Sequence, residues 1–255
     1  MKEKGINPAE NHLSIAEYKE IQYNKLADLI RNSLDMDAIY KVLFGEKKEM
    51  VRCAGKKDDT SGKGLVHIYC GDGKGKTTAA IGLAVRAAVT GKQVVAARFL
   101  KTDQSGEVEI LKRLPEVTLI PCEKTFGFTW KMTDEVKQEA ADYYKSMFET
   151  ACREAVKRCG EAEENGSKAP EENNFCETCD VLLVLDEVCA SLSSGLLELA
   201  DIVDFLDHRP ADLEVVMTGR KPPEELLLRA DYVTEMEKIK HPFDRKILAR
   251  RGIEY

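Results

Sequence analysis

The segment 71–78, GDGKGKTT, gathers the residue types that hold phosphate. Gly71, Gly73 and Gly75 let successive backbone N–H groups turn toward phosphate oxygens, and the start of a following helix adds its dipole. Lys76 supplies a point charge and Thr77 a hydroxyl suited to magnesium, with Asp72, Lys74 and Thr78 completing the loop. The usual spacing, G-x-x-x-x-G-K-[ST], requires glycine at position 70, where this chain has Cys70, so the loop is a variant. A second group, Asp186 and Glu187, ends the run VLLVLDE at residues 181–187. Carboxylates at the carboxyl end of a buried strand stand where a magnesium or manganese ion would meet the phosphates of ATP. Alone, such a pair reads better as a helix cap. Beside a phosphate loop it reads as the metal side of a nucleotide site, with the choice between Asp186 and Glu187 open.

The elements that must position these groups follow from the pattern around them. LVHIYC at residues 65–70 is an apolar, strand-like run that stops at glycine. Residues 76–90 carry Ala79, Leu83, Ala84, Ala87 and Ala88 at helical spacing, and Gly91 marks the end. Strands are expected at residues 94–100, 117–120, 181–187, 213–218 and 232–236. Helices are expected at residues 134–158, with Val136, Ala140, Tyr144, Met147, Phe148, Ala151 and Ala155 facing inward, and at 222–230. Strand alternating with helix predicts an α/β fold, a mostly parallel sheet covered on both faces. Residues 1–62 read as a helical extension and linker, either docked on the surface or acting as a lid. Residues 63–255 read as the nucleotide-binding domain, with 160–179 an acidic, flexible insert.

The 255 residues suffice for one such domain with length to spare. Between Gly160 and Asp180 stand seven acidic residues and one lysine, which account for most of the net charge of −7. No basic stripe interleaved with aromatics predicts nucleic-acid binding. No run is long enough to span a membrane, and the first residues lack the apolar core of a signal peptide, so the expected location is the cytoplasm. The eight cysteines lack the dense, regular spacing of a disulfide scaffold. Cys70 and Cys189 read as small core residues ending strand-like runs. Cys176 and Cys179 form a CxxC that supplies two zinc ligands, not four; the simpler reading is thiols in or near a loop. His67 alternates with apolar neighbours and reads as structural, while His241 stands in KHPFD, where it could approach a ligand.

From about Leu65 onward the chain resembles the P-loop ATP:corrinoid adenosyltransferases, which act on cob(I)alamin or cob(I)yrinic acid diamide. The resemblance rests on GDGKGKTT, GFTW at 127–130, VLDE at 184–187, TGR at 218–220 and the ending KHPFD…ARRGIEY. It implies a RecA-like parallel sheet, a homodimer, and an ATP held so that the ribose 5′-carbon is exposed. It also implies that Lys76, Thr77 and Thr78 bind phosphate, that Glu187 with Asp186 lies near magnesium, and that Arg86 and Arg220 lie near the nucleotide. Phe128 and Trp130 match aromatics on the lower face of the corrin ring, and a reduced flavoprotein is the implied electron donor. The segment 98–107, RFLKTDQSGE, matches only loosely, so Lys101 receives no role. Two other readings fit the motifs themselves: a P-loop kinase or hydrolase that cleaves the terminal phosphate, and a corrinoid carrier regulated by ATP.

Overall fold

The computed structural model describes residues 63–101, 103, 105–127, 129–164 and 180–254. The expected helical extension at 1–62, Phe128 and the Cys176/Cys179 pair lie outside the described residues. The first strand, β1 (Val66–Cys70), leads through the glycine loop into α1 (Lys76–Val89). There follow β2 (Gln93–Arg98), α2 (Gly106–Leu111), β3 (Val117–Leu119) and a single 3-10 turn at Thr129–Lys131. The long helix α3 (Asp134–Glu164) precedes β4 (Val181–Asp186), α4 (Val188–Ser193) and α5 (Leu199–His208). The chain ends with β5 (Glu214–Thr218), α6 (Glu224–Leu227), β6 (Tyr232–Glu235) and a 3-10 turn at Pro242–Arg245.

Among the described residues the strands form one sheet in the order β3-β2-β4-β5-β1-β6, every neighbouring pair parallel. This is the expected α/β architecture, with the RecA-like feature that one strand, β5, separates the phosphate-loop strand from the acidic strand. Because β4 is buried at all six positions, its side chains supply core on both faces. One face carries Val94, Ala96, Leu182, Val184 and Val216, covered by Ala80, Ile81, Ala84, Ala87 and Ala88 of α1. Alanine there lets the helix approach the sheet closely and favours the helix itself. The other face carries Ile68, Val95, Leu183, Leu185, Val215 and Met217 against α3 and α5.

Helix α1 ends as its glycine predicts. Gly91 takes φ 89°, and the N–H groups of Gly91 and Lys92 close on the carbonyls of Ala88 and Ala87 at 2.9 and 3.1 Å. Helix α3 runs past the expected end at Arg158 and takes up residues 160–164 of the stretch read as an acidic loop. The buried Cys159 extends its apolar face, and Glu and Ala tolerate helix well, so only Gly160 opposes continuation. Arg158 pins the helix across two strands, donating to Gln93 Oε1 and Thr118 Oγ1, each at 2.5 Å. Cys189 is buried as expected, but within α4 and not at a strand end. Cys152 and Cys159 face the core, and no group of His, Cys, Asp or Glu among the described residues could hold a metal by itself. His67 is structural: Nε2 lies 2.5 Å from Glu214 Oε1, and its ring stacks on Tyr232 at 4.5 Å.

Leu183, fully buried at the centre of β4, should lose about 2–5 kcal/mol of stability on change to alanine, measured by urea denaturation.

Candidate active site

The carboxyl edge of the sheet collects the chemistry. Asp186, the last residue of β4, is fully buried and therefore needs partners for both carboxylate oxygens. Thr218, the last residue of β5, donates its hydroxyl proton to Asp186 Oδ1 at 2.6 Å. The same hydroxyl accepts the backbone N–H of Glu187 at 2.9 Å. From the phosphate loop, Thr77 Oγ1 lies 2.9 and 3.2 Å from the two Asp186 oxygens. From the loop after β2, the Lys101 ammonium donates to Asp186 Oδ2 at 2.5 Å and to Thr77 Oγ1 at 2.7 Å. Four segments of chain thus meet on one carboxylate.

Two non-glycine residues in the left-handed region aim the groups just beyond the strand ends. Leu100 (φ 57°) turns the chain after β2 so that Lys101 faces the site, and Glu187 (φ 63°) turns it after β4. The loop holding Lys101 is anchored by Arg98, fully buried at the end of β2. Its guanidinium reaches Ser105 Oγ at 2.5 Å, Asp103 Oδ1 at 2.7 Å and Glu107 Oε1 at 3.5 Å. Burial raises the Glu187 pKa, with the Asp186 charge adding to it, while Lys101, Lys76 and Arg220 pull the other way.

The phosphate loop has the shape its glycines predict. Gly71 takes φ 98°, and a Cβ there would stand 2.4 Å from the Met236 carbonyl oxygen. That carbonyl accepts the Gly73 N–H at 2.7 Å, while the Met236 N–H donates to Cys70 at 2.8 Å. Cys70 thus serves as the last residue of β1, and the segment after β6 lies hard against the loop. Lys76 is buried with its ammonium turned back to the Gly73 carbonyl at 2.8 Å. Burial lowers its pKa, opposed by Glu187 and reinforced by Arg220. In the TGR segment, Gly219 is required by contact: a Cβ there would lie 2.7 Å from that of Cys189.

Two cavities flank this loop. One, of about 310 Å³, is bordered by Thr77, Thr78, Ile81, Lys101, Glu107, Gly252, Ile253 and Glu254. The other, of about 260 Å³, is bordered by Asp72, Gly73, Lys74, Arg220, His241, Phe243, Leu248 and Glu254. The carboxyl-terminal segment therefore walls both. Asp72 accepts the N–H of Lys238 at 3.1 Å, which lowers its pKa and ties the two segments together.

The phosphate-loop and acidic residues converge; Arg86 and Trp130 stand elsewhere. The loop residues 71–78, Asp186, Glu187 and Arg220 meet at this edge. Arg86 does not: it is exposed near the far end of α1 and borders a separate cavity with Lys92, Leu182 and Glu214. Ten residues of helix place it about 15 Å along the axis from Lys76, away from the phosphate loop. Trp130 lies in the 3-10 turn before α3. The segment leading to it is tied to the site, since the Cys122 thiol donates to the Lys101 carbonyl at 2.8 Å and Tyr143 accepts the N–H of Glu123 at 2.9 Å. Phe126 packs on Tyr143 and Tyr144 with ring centroids 5.6 and 5.8 Å apart.

Two residues of the cluster escaped the sequence reading. Lys101 stands in a segment without a sharp motif. Thr218 was visible only as a letter of TGR, and its role needs the strand order to be known.

The donor set suits a hard divalent cation. A threonine hydroxyl and two adjacent carboxylates offer oxygen alone, and the Lys101 ammonium already places a positive charge between Thr77 and Asp186. Too few protein ligands for a complete cage fits an ion that also takes phosphate oxygens.

Fold and loop together define a P-loop nucleotide-binding protein of the α/β class. The model of the ATP:corrinoid adenosyltransferases BtuR/CobO/CobP matches residues 62–255, and the chain belongs to that family. It is 32% identical over 211 residues to the corrinoid adenosyltransferase of Escherichia coli (strain K12), covering 82% of this chain and 93% of that protein. The corrinoid adenosyltransferase CobA of Salmonella typhimurium is 32% identical over 194 residues, covering 76% and 86%. That of Pseudomonas aeruginosa is 30% identical over 229 residues, covering 89% of this chain and all of the relative. The protein is accordingly a transferase that adenosylates corrinoids with ATP.

Thr218→Val keeps the shape but leaves one Asp186 oxygen and the Glu187 N–H without this hydroxyl. The expected loss is about 1–3 kcal/mol of stability, read from the midpoint of urea unfolding at unchanged slope.

Proposed function

We propose that residues 63–255 form the catalytic domain and that Lys76, Thr77 and Glu187 carry the transfer of the 5′-deoxyadenosyl group to a reduced corrinoid. The observation that carries this reading is the meeting of the phosphate loop with Asp186, Glu187 and Lys101 at one edge of the sheet. The triphosphate lies along residues 71–78, with Lys76 leaving the Gly73 carbonyl for phosphate oxygens and the loop N–H groups supplying further donors. Thr77, Asp186 and Glu187 would hold magnesium or manganese, which when bound would neutralise charge on the triphosphate. Burial and the neighbouring Asp186 charge raise the Glu187 pKa, so a cation there would relieve both. Arg220, bordering the cavity with Lys74, adds positive charge on the opposite side of the loop.

The reaction needs no protein base. Co(I) of the corrinoid attacks the ribose 5′-carbon, a cobalt–carbon bond forms, and the C5′–O bond breaks. Its electron pair leaves on the triphosphate, and cobalt is formally oxidised to Co(III). The protein's task is to align the 5′-carbon for in-line attack and to stabilise the leaving charge; one well-placed donor is typically worth about 3 kcal/mol. By the family resemblance, Phe128 and Trp130 would supply an apolar wall below the corrin ring. Excluding a lower axial ligand would ease reduction of Co(II) to Co(I). A homodimer, a cytoplasmic location and a reduced flavoprotein as electron donor follow from the family resemblance. Among the described residues no helix is long and apolar enough to cross a membrane.

Anaerobic incubation with magnesium-ATP and chemically reduced cobalamin tests the reading. Adenosylated corrinoid with intact triphosphate is expected; ADP with unmodified corrinoid would mean ordinary phosphoryl transfer. In that assay Lys76→Ala should lower kcat by at least about 100-fold. Trp130→Ala should slow transfer mainly when Co(II) must first be reduced. Equal loss with chemically prepared Co(I) would remove the aromatic wall from the mechanism.

A further inference from the structure

Lys101 bonds two of the three protein groups assigned to the proposed metal. Its ammonium lies 2.5 Å from Asp186 Oδ2 and 2.7 Å from Thr77 Oγ1. Asp186 is fully buried, and burying a carboxylate charge is costly unless a counter-charge stands close by. An ammonium and a divalent cation cannot occupy this position together, because like charges in contact repel strongly at the edge of a protein interior. The lysine has somewhere else to go. Its side chain is about a quarter exposed and borders the cavity beside Thr77 and Thr78. Glu107 Oε1 stands 3.8 Å from its ammonium on the same cavity wall, held from behind by Arg98 at 3.5 Å.

We propose that Lys101 is the resident counter-cation of the metal site. It neutralises Asp186 while the site is empty, a divalent cation arriving with the nucleotide displaces it, and Glu107 receives it at the cavity wall. This rests on the reading that Thr77 and Asp186 face the metal. One consequence is selectivity: a cation without nucleotide must evict the lysine unaided, so the empty protein should bind divalent ions poorly.

Manganese binding to the nucleotide-free protein, followed by the electron paramagnetic resonance of free Mn2+, tests this without any turnover. Lys101→Met should tighten binding by about tenfold or more, while Lys101→Arg, which keeps the charge, should bind no tighter than the parent. Unchanged or weaker binding in Lys101→Met would overturn the proposal. Asp186→Asn in the Lys101→Met background tests the underlying metal assignment, which unchanged binding in Lys101→Met alone would leave standing. Loss of the tightened binding is expected, whereas its persistence would place the metal elsewhere and end both that assignment and the proposal. If Lys101→Met unfolds when purified without metal, manganese should restore its folded circular-dichroism spectrum, since the ion supplies the missing charge. Failure of that rescue would equally overturn the role.

Discussion

The whole site is organised by the need to accommodate one buried carboxylate. Asp186 has no access to water, so its charge must be balanced and its oxygens bonded from within the protein. Thr218 reaches it from β5, Thr77 from the phosphate loop and Lys101 from the loop after β2. Each partner belongs to a different crossover of the sheet, so satisfying Asp186 also fixes the loops relative to one another. A surface carboxylate, solvated by water, could not impose that order.

The strand order makes this arrangement possible. Because β5 lies between β1 and β4, a residue at its end spans the gap between the phosphate loop and the acidic strand. Threonine suits the position: its hydroxyl donates to Asp186 and accepts from the Glu187 N–H at once. On the other side of the loop, the segment after β6 presses its backbone against Gly71 and Gly73. The approach leaves no room for a Cβ, which explains the glycines there apart from phosphate binding. The same loop is therefore constrained from both sides, by charge through Thr77 and by backbone contact through Met236.

Local chemistry and global packing were not equally legible. The alanine-rich helix α1, its glycine terminus and the uninterrupted apolar run of β4 are signals over many residues and appear in the structure, although α1 buries Ala80 and Ile81 more fully than the expected Ala79 and Leu83. Helices α2, α4 and α5 were missed. In the first two, six residues make less than two turns, too little for a period to register, whereas the ten residues of α5 carry a helical period with Ile202 and Leu206 buried and were legible in principle. The end of α3 was misplaced because a polar, acidic composition masked residues with good helix propensity. Arg86 carried a family-derived expectation, and the fold places it well along α1 from the phosphate loop. Lys101 shows the reverse case, a residue dismissed for weak resemblance that the fold brings to the centre.

The sequence by itself determined the fold class, the family and the phosphate loop, because each is written in contiguous residues: periodic core positions, GDGKGKTT, VLDE. These depend on local backbone geometry and on which faces must be buried, both of which short-range pattern encodes. Only the tertiary structure decided which residues share the Asp186 carboxylate. Thr77, Lys101 and Thr218 stand far apart in the chain, and their convergence depends on strand order, on the positive φ of Leu100 and on a buried charge that needs partners. Burial is a property of the assembled sheet, and a buried charge selects its neighbours only after the strands around it are in place.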